Sequence, residues 1–228
     1  MIVDHSSWDA LLRKYVRPSP HGASGFAYGA VTADDRAALK DYIARLGAAK
    51  PSALPDDEQR AFWINLYNAL TVDLVLDHYP VRSIRDVVDG GPWATPLIVV
   101  EGRELSLDNI ENAILRKLWR DARVHYAINC ASGSCPSLMP RAFTGAALED
   151  MLDKGARDYI NHERGVRVAD ATAEVSQIFS WYARDFGGDQ ASLIAHLQQY
   201  ASPELRERLA KVERITSYDY DWSLNDAT

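Results

Sequence analysis

His125 and Cys135 stand ten positions apart in the stretch Arg123-Val-His-Tyr-Ala-Ile-Asn-Cys-Ala-Ser-Gly-Ser-Cys-Pro-Ser-Leu138. A thiol and an imidazole held side by side can form a thiolate–imidazolium pair, the resting nucleophile of many thiol enzymes. The stretch reads as a short strand, a tight Gly/Ser loop and a helix start. Pro136 suits the first helical position, because its missing N–H would be unpaired there anyway. That reading puts Cys135 at the N-cap, beside free backbone N–H groups and the positive end of a helix dipole, which favour the thiolate. The same amides would serve an oxyanion during acyl transfer.

Strand alternation sorts the neighbours. Val124, Tyr126, Ile128 and Cys130 fall on an apolar face, and His125, Ala127 and Asn129 on a polar one. Cys130 is therefore assigned to the core, where free cysteine behaves as a small hydrophobe, pointing away from Cys135. His125 and Asn129 face a cleft. The leading expectation is a thiol-dependent hydrolase or transferase of amide, thioester or peptide-like substrates, with Cys135 as nucleophile and His125 as general base and acid. Two alternatives stay open: a non-catalytic module binding a peptide or small molecule in the same cleft, and a redox protein cycling Cys130 and Cys135 through a disulfide. Chance spacing of an unrelated Cys and His is the bland account. Glutathione is a conceivable ligand, since a reactive cleft thiol exchanges with small thiol peptides. Two cysteines without paired short spacings do not make a structural zinc site. Ser132 and Ser134 do not form a G-x-S-x-G elbow. No metal or cofactor is expected.

Asn65 and Asn68 share one face of an apolar helix. They either pin a loop backbone or line the cleft. Glu111 is a solvated surface residue or the carboxylate that orients His125; Asn129 is the other candidate for that role. Asn65, Asn68, Asn129, Ser134 and Trp222 complete the candidate substrate contacts, although the aromatics around Trp222 also suit the face of a core strand. His5 and His21 lie near the chain start, His78 sits at a helix C-terminus, and His162 and His196 read as exposed.

These residues need a scaffold. Helical spacing of apolar residues marks Asp34 to Leu46, ended by Gly47, then residues 58 to 78, capped by Asp56 or Asp57 and apolar on nearly every side as a central helix should be. Pro96 to Leu105 reads as a hairpin turning at Glu101-Gly102. A helix follows from Ser106 or Asp108 to about Trp119. Leu148–Ile160, Ser176–Phe186, Ala191–Gln199 and Pro203–Val212 read as helices, and Ser217–Trp222 as a late strand. The expected fold is α+β, a helix-rich single domain over residues 1–228 with a small, mainly antiparallel sheet.

The 228 residues suffice for a sizeable core. A net charge of −7, with scattered arginines, argues against nucleic acid as a partner. The most apolar stretch, Ala61 to Leu76, is broken by Asn65, Asn68 and Asp73 and reads as a buried helix, so no transmembrane segment is expected. The N-terminus carries no leader pattern.

Several blocks resemble the bacterial and plant family of domain of unknown function 547: Ala61-Phe-Trp-Ile-Asn-Leu-Tyr-Asn-Ala69, Tyr79-Pro80 with Ser83-Ile84, Leu105-Ser-Leu-Asp-Asn-Ile-Glu111 with Ile114-Leu-Arg116, Arg123-Val-His125, Ser134-Cys-Pro136, Ile178-Phe-Ser-Trp-Tyr182 with Asp185-Phe186, and Tyr220-Asp-Trp-Ser-Leu-Asn225. The resemblance implies a cysteine-proteinase-like fold in which a thiol-bearing helix packs on a small antiparallel sheet. With His125 before Cys135, the order would be circularly permuted relative to papain. The family motif points to Cys135 and His125 and, more weakly, to Glu111. It implies a periplasmic or extracellular setting; without a leader in this chain, the cytoplasm stays open.

Overall fold

The computed structural model describes residues 2–18, 23–88 and 91–227. His21 lies outside them. A 23-residue helix, α3 (Asp56–His78), forms the axis of the larger core, and every residue from Arg60 to Val72 along it is buried. Its first turn carries Asp56, Asp57 and Glu58, which suit the positive end of a helix, but Pro55 occupies the N-cap and no side chain caps it. Around α3 pack α1 (Ser6–Tyr15) and α2 (Ala33–Gly47). Thr32 caps α2 by accepting from the Asp35 N–H. This helix runs through Gly47, so that glycine does not terminate it as expected.

The strands are short. β1 (Val16–Pro18) pairs with β2 (Ser24–Phe26), and β3 (Ile98–Val100) with β4 (Arg103–Leu105), both antiparallel. The β3–β4 turn has positive φ at Glu101 and Gly102, the backbone a two-residue hairpin turn needs. After it comes a π-helical segment, Asn109–Leu115, continued by α4 (Arg116–Trp119). A second buried cluster gathers α5 (Leu148–Ile160), β5 (Val166–Ala169), β6 (Thr172–Ser176), α6 (Ile178–Trp181), α7 (Gln190–Tyr200) and α8 (Pro203–Leu209). β7 (Arg214–Asp219) lies parallel to β6, which is antiparallel to β5. The fold is α+β and helix-rich with small, mostly antiparallel sheets.

Three local expectations fail around the central motif. Val124 to Cys130 is not a strand: Ala122–Tyr126 is a 3₁₀ turn, and the chain from Ala127 runs irregularly. No helix follows Pro136, so Cys135 is not an N-cap. Pro140 explains part of this, because a helix begun at Pro136 would need the N–H that Pro140 lacks. Residues 176 to 186 form α6 and a separate 3₁₀ turn, Ala183–Phe186, instead of one helix. Among the described residues, no helix is long and apolar enough to cross a membrane.

Candidate active site

The irregular stretch from Ala127 to Pro136 is held by side chains from outside it. Asn68 of α3 donates to Ala127 O (2.9 Å) and accepts from Asn129 N–H (2.8 Å). Asn129 accepts from Ala131 N–H and donates to Pro136 O (2.7 Å), which folds the loop back on itself. Asn225 donates to the same Asn129 oxygen. A buried backbone group left unpaired is costly, and these amides supply the partners a strand or helix would have provided. Asn65 does the same further on, pairing with both backbone groups of Phe143. Asn65 and Asn68 therefore pin loops, and Asn129 braces the thiol loop from within.

The loop is also stitched to the segment after β7. Gly133 N–H donates to Ser223 O and Ser134 N–H to Asp221 O, while Ser134 Oγ accepts from Asp221 N–H. A Cβ on Gly133 would lie 2.8 Å from Asp221 Oδ2, so a side chain there would displace the Asp221 carboxylate. Ser134 thus anchors this second segment.

The loop delivers both thiols to one cavity of about 310 Å³. Its wall is aromatic: Trp93, Trp181, Tyr182, Tyr220 and Trp222, with Glu111, His125, Cys130 and Cys135 at its polar points. Trp222 stands in this wall, its ring 5.6 Å from Trp93 and 5.5 Å from Trp181. Cys135 is 3% exposed and Cys130 half-buried, and both are free thiols. Contrary to the strand-based expectation, Cys130 does not point into the core away from Cys135. Its N–H donates to Cys135 Sγ (2.9 Å), and the Tyr220 hydroxyl is 3.1 Å from Cys130 Sγ, 3.4 Å from Cys135 Sγ and 2.7 Å from Ser132 Oγ. Burial opposes ionisation of Cys135, yet donors from the Cys130 thiol, the Tyr220 hydroxyl and the Cys130 amide outweigh it and hold that thiol below its ordinary range. The neighbouring thiolate and burial push Cys130 the other way.

The imidazole belongs to a different network. His125, 3% exposed, stacks on Tyr182 with ring centres 4.1 Å apart. Its Nε2 is 2.7 Å from Asp185 Oδ2, and Nδ1 is 4.0 Å from Glu111 Oε1. Arg116 grips Asp185 through Nε and Nη2 at 2.6 and 3.0 Å. Burial works against the Asp185 charge, but His125 and Arg116 hold its carboxyl well below the usual range. A carboxylate there assigns the Nε2–H tautomer to His125 and leaves Nδ1 as the acceptor. Glu111 is buried and accepts from the Tyr67 hydroxyl at 3.3 Å. No hydrogen bond joins His125 to Cys135; the two groups face the same cavity from separate networks.

Asp185 and Tyr220 are the partners that spacing did not single out as site residues. Each lies more than fifty residues from the group it contacts, although both fall in aromatic-rich blocks. His196 is half-buried and pairs with the Tyr126 hydroxyl (2.8 Å) instead of facing solvent. His162 is half-buried as well. Among the described residues, no cluster of three or more His, Cys, Asp or Glu could hold a metal ion.

Residues 51–160 match the sequence profile of the family described as protein of unknown function, DUF547. Comparison with curated proteins and with solved structures gave no match.

Proposed function

We propose that this chain, whose central segment is that of the DUF547 family, is a thiol-dependent enzyme that transfers or hydrolyses the acyl group of a small amide, thioester or peptide-like substrate. The observation that carries the reading is the environment of Cys135 Sγ: a sulfur accepting from the Cys130 N–H and the Tyr220 O–H, at the edge of an aromatic cavity shared with an imidazole. Donors aimed at a sulfur stabilise the thiolate, which is the nucleophilic form.

In this mechanism the Cys135 thiol gives up its proton through the shared cavity to His125 Nδ1, and the resulting thiolate attacks the carbonyl carbon. The carbon–heteroatom bond then breaks, and the leaving amine or thiol departs with a proton from His125 Nδ1. Water or an acceptor next loses its proton to Nδ1 and releases the acyl group from sulfur. Asp185 keeps Nε2 protonated, so that Nδ1 is the nitrogen that cycles. Glu111, on the Nδ1 side, steadies the imidazolium during the transfer. The aromatic wall excludes water and holds the apolar part of the substrate.

Intact-mass spectrometry tests this with a panel of small activated esters and thioesters. The expected result is one acyl increment, located on Cys135, absent in Cys135→Ala and long-lived in His125→Ala. Acylation elsewhere at equal rates, or no adduct from any member of the panel, would overturn the reading.

A further inference from the structure

We propose that Cys130 and Cys135 together form a dithiol site that reduces a disulfide-bearing ligand held in the aromatic cavity. Acyl transfer needs one sulfur, and the structure supplies two. Cys135 Sγ lies 2.9 Å from the Cys130 amide nitrogen; with an N–Cα bond of about 1.46 Å, it is within about 4.4 Å of Cys130 Cα. One phenol, Tyr220, contacts both sulfurs. That separation between one sulfur and the other cysteine's Cα is compatible with a disulfide once the Cys130 side chain rotates towards Cys135. Both sulfurs line the cavity, so a ligand reaching one reaches the other.

The two environments divide the labour. Cys135 accepts the donors and is the attacking group. Cys130, half-buried and hydrogen-bonded to Ser132 and Tyr220, keeps its proton until it is needed. In the first step the Cys135 thiolate attacks one sulfur of the ligand disulfide; a protein–ligand S–S bond forms and one ligand thiolate leaves. In the second, Cys130 gives up its proton to that thiolate and attacks Cys135 Sγ, expelling the second ligand thiolate. The ligand disulfide is reduced by two electrons and the cysteine pair is oxidised to a disulfide.

The probe is 2-hydroxyethyl disulfide, which has no carbonyl, so the outcome is independent of acyl transfer. Reduced full-length protein is mixed with it near neutral pH and followed by intact mass and peptide mapping. The expected product is lighter by two hydrogens, with a Cys130–Cys135 link. Cys130→Ser should stop at a stable mixed disulfide on Cys135, and Cys135→Ser should react at least tenfold more slowly. Circular dichroism checks that each variant is folded. Should a variant fail to fold, the wild-type product decides alone. A wild-type protein that accumulates a lasting mixed disulfide, labels both cysteines independently or does not react would overturn the proposal.

Discussion

The Tyr220 hydroxyl donates to Cys135 Sγ at 3.4 Å across 85 residues of sequence. It is the only side-chain donor to that sulfur, among the described residues, that belongs to neither the thiol loop nor the family-matched segment. Tyr220→Phe removes the donor and keeps the ring. Iodoacetamide labelling of Cys135 at about pH 5, below the value of about 6 to which its donors hold this thiol, should then slow by about 3- to 10-fold, because losing one hydrogen bond to a charged group removes on the order of 1 kcal/mol or more of thiolate stabilisation. Rates read from the Cys135 peptide check this; an unchanged rate would show that the phenol does not support the thiolate.

Asn68 is the brace whose loss should be felt most. Asn68→Ala leaves Ala127 O and Asn129 N–H without partners in a buried region. Unpaired buried groups and two lost hydrogen bonds predict destabilisation of about 2–4 kcal/mol, or roughly 5–15 °C in Tm for a chain of this size. Thermal melts read it directly. A shift under about 2 °C would mean the loop stands without this bracket.

Stability should fall with pH below neutrality. Burial pushes His5 and His196 down to about 4 in the folded protein, against about 6.5 in the unfolded chain. The native state therefore binds fewer protons across that window. The stabilisation is complete above the unfolded value and is lost as pH falls from about 6.5 towards 4. Urea unfolding at pH 7 and pH 4.5 should differ by on the order of 2–5 kcal/mol. Asp185 acts with the same sign further down: its depressed carboxyl stabilises the fold above the ordinary carboxylate value and ceases to do so as pH drops through and below it.

Asp185→Asn separates orientation from charge. The amide still reaches His125 but no longer holds Nε2 protonated or balances Arg116. Release of the acyl group from Cys135 should slow by roughly 10- to 100-fold, at or below the low end of the roughly 100- to 10,000-fold typical of proton-transfer catalysis, while formation of the acyl-enzyme from an activated ester, whose leaving group departs without a proton, changes less. Pre-steady-state mass spectrometry distinguishes the two steps. Equal slowing of both would place Asp185 in substrate binding instead.

Much of the scaffold was legible because it is periodic. α2, α3 and α5 repeat their apolar residues at helical spacing, and Glu101-Gly102 marks a tight turn between two short apolar runs. The site was legible only in part. Its residue types named Cys135, His125 and Glu111 as members, and all three line one cavity. Their arrangement was not. The alternation from Val124 to Cys130 suits a strand, but Asn68, Asn129 and Asn225 satisfy an irregular backbone instead, so the side chains do not follow a two-residue repeat. Pro136 carries the mark of a helix start, and Pro140 cancels it. The pairings of His125 with Asp185 and of Cys135 with Tyr220 exist only once distant segments pack, and no local pattern encodes them.

The stitching of the thiol loop to the segment after β7 sets an order of events during synthesis. A ribosome adding about 5–20 residues per second reaches Tyr220 roughly 4–17 s after Cys135. Through that interval both thiols have left the peptidyl-transferase centre without the phenol that later joins them, and Ser134 lacks its Asp221 partner. The nascent chain thus carries two cysteines without their shared phenol, and those contacts form late, when Tyr220 and the residues following it dock.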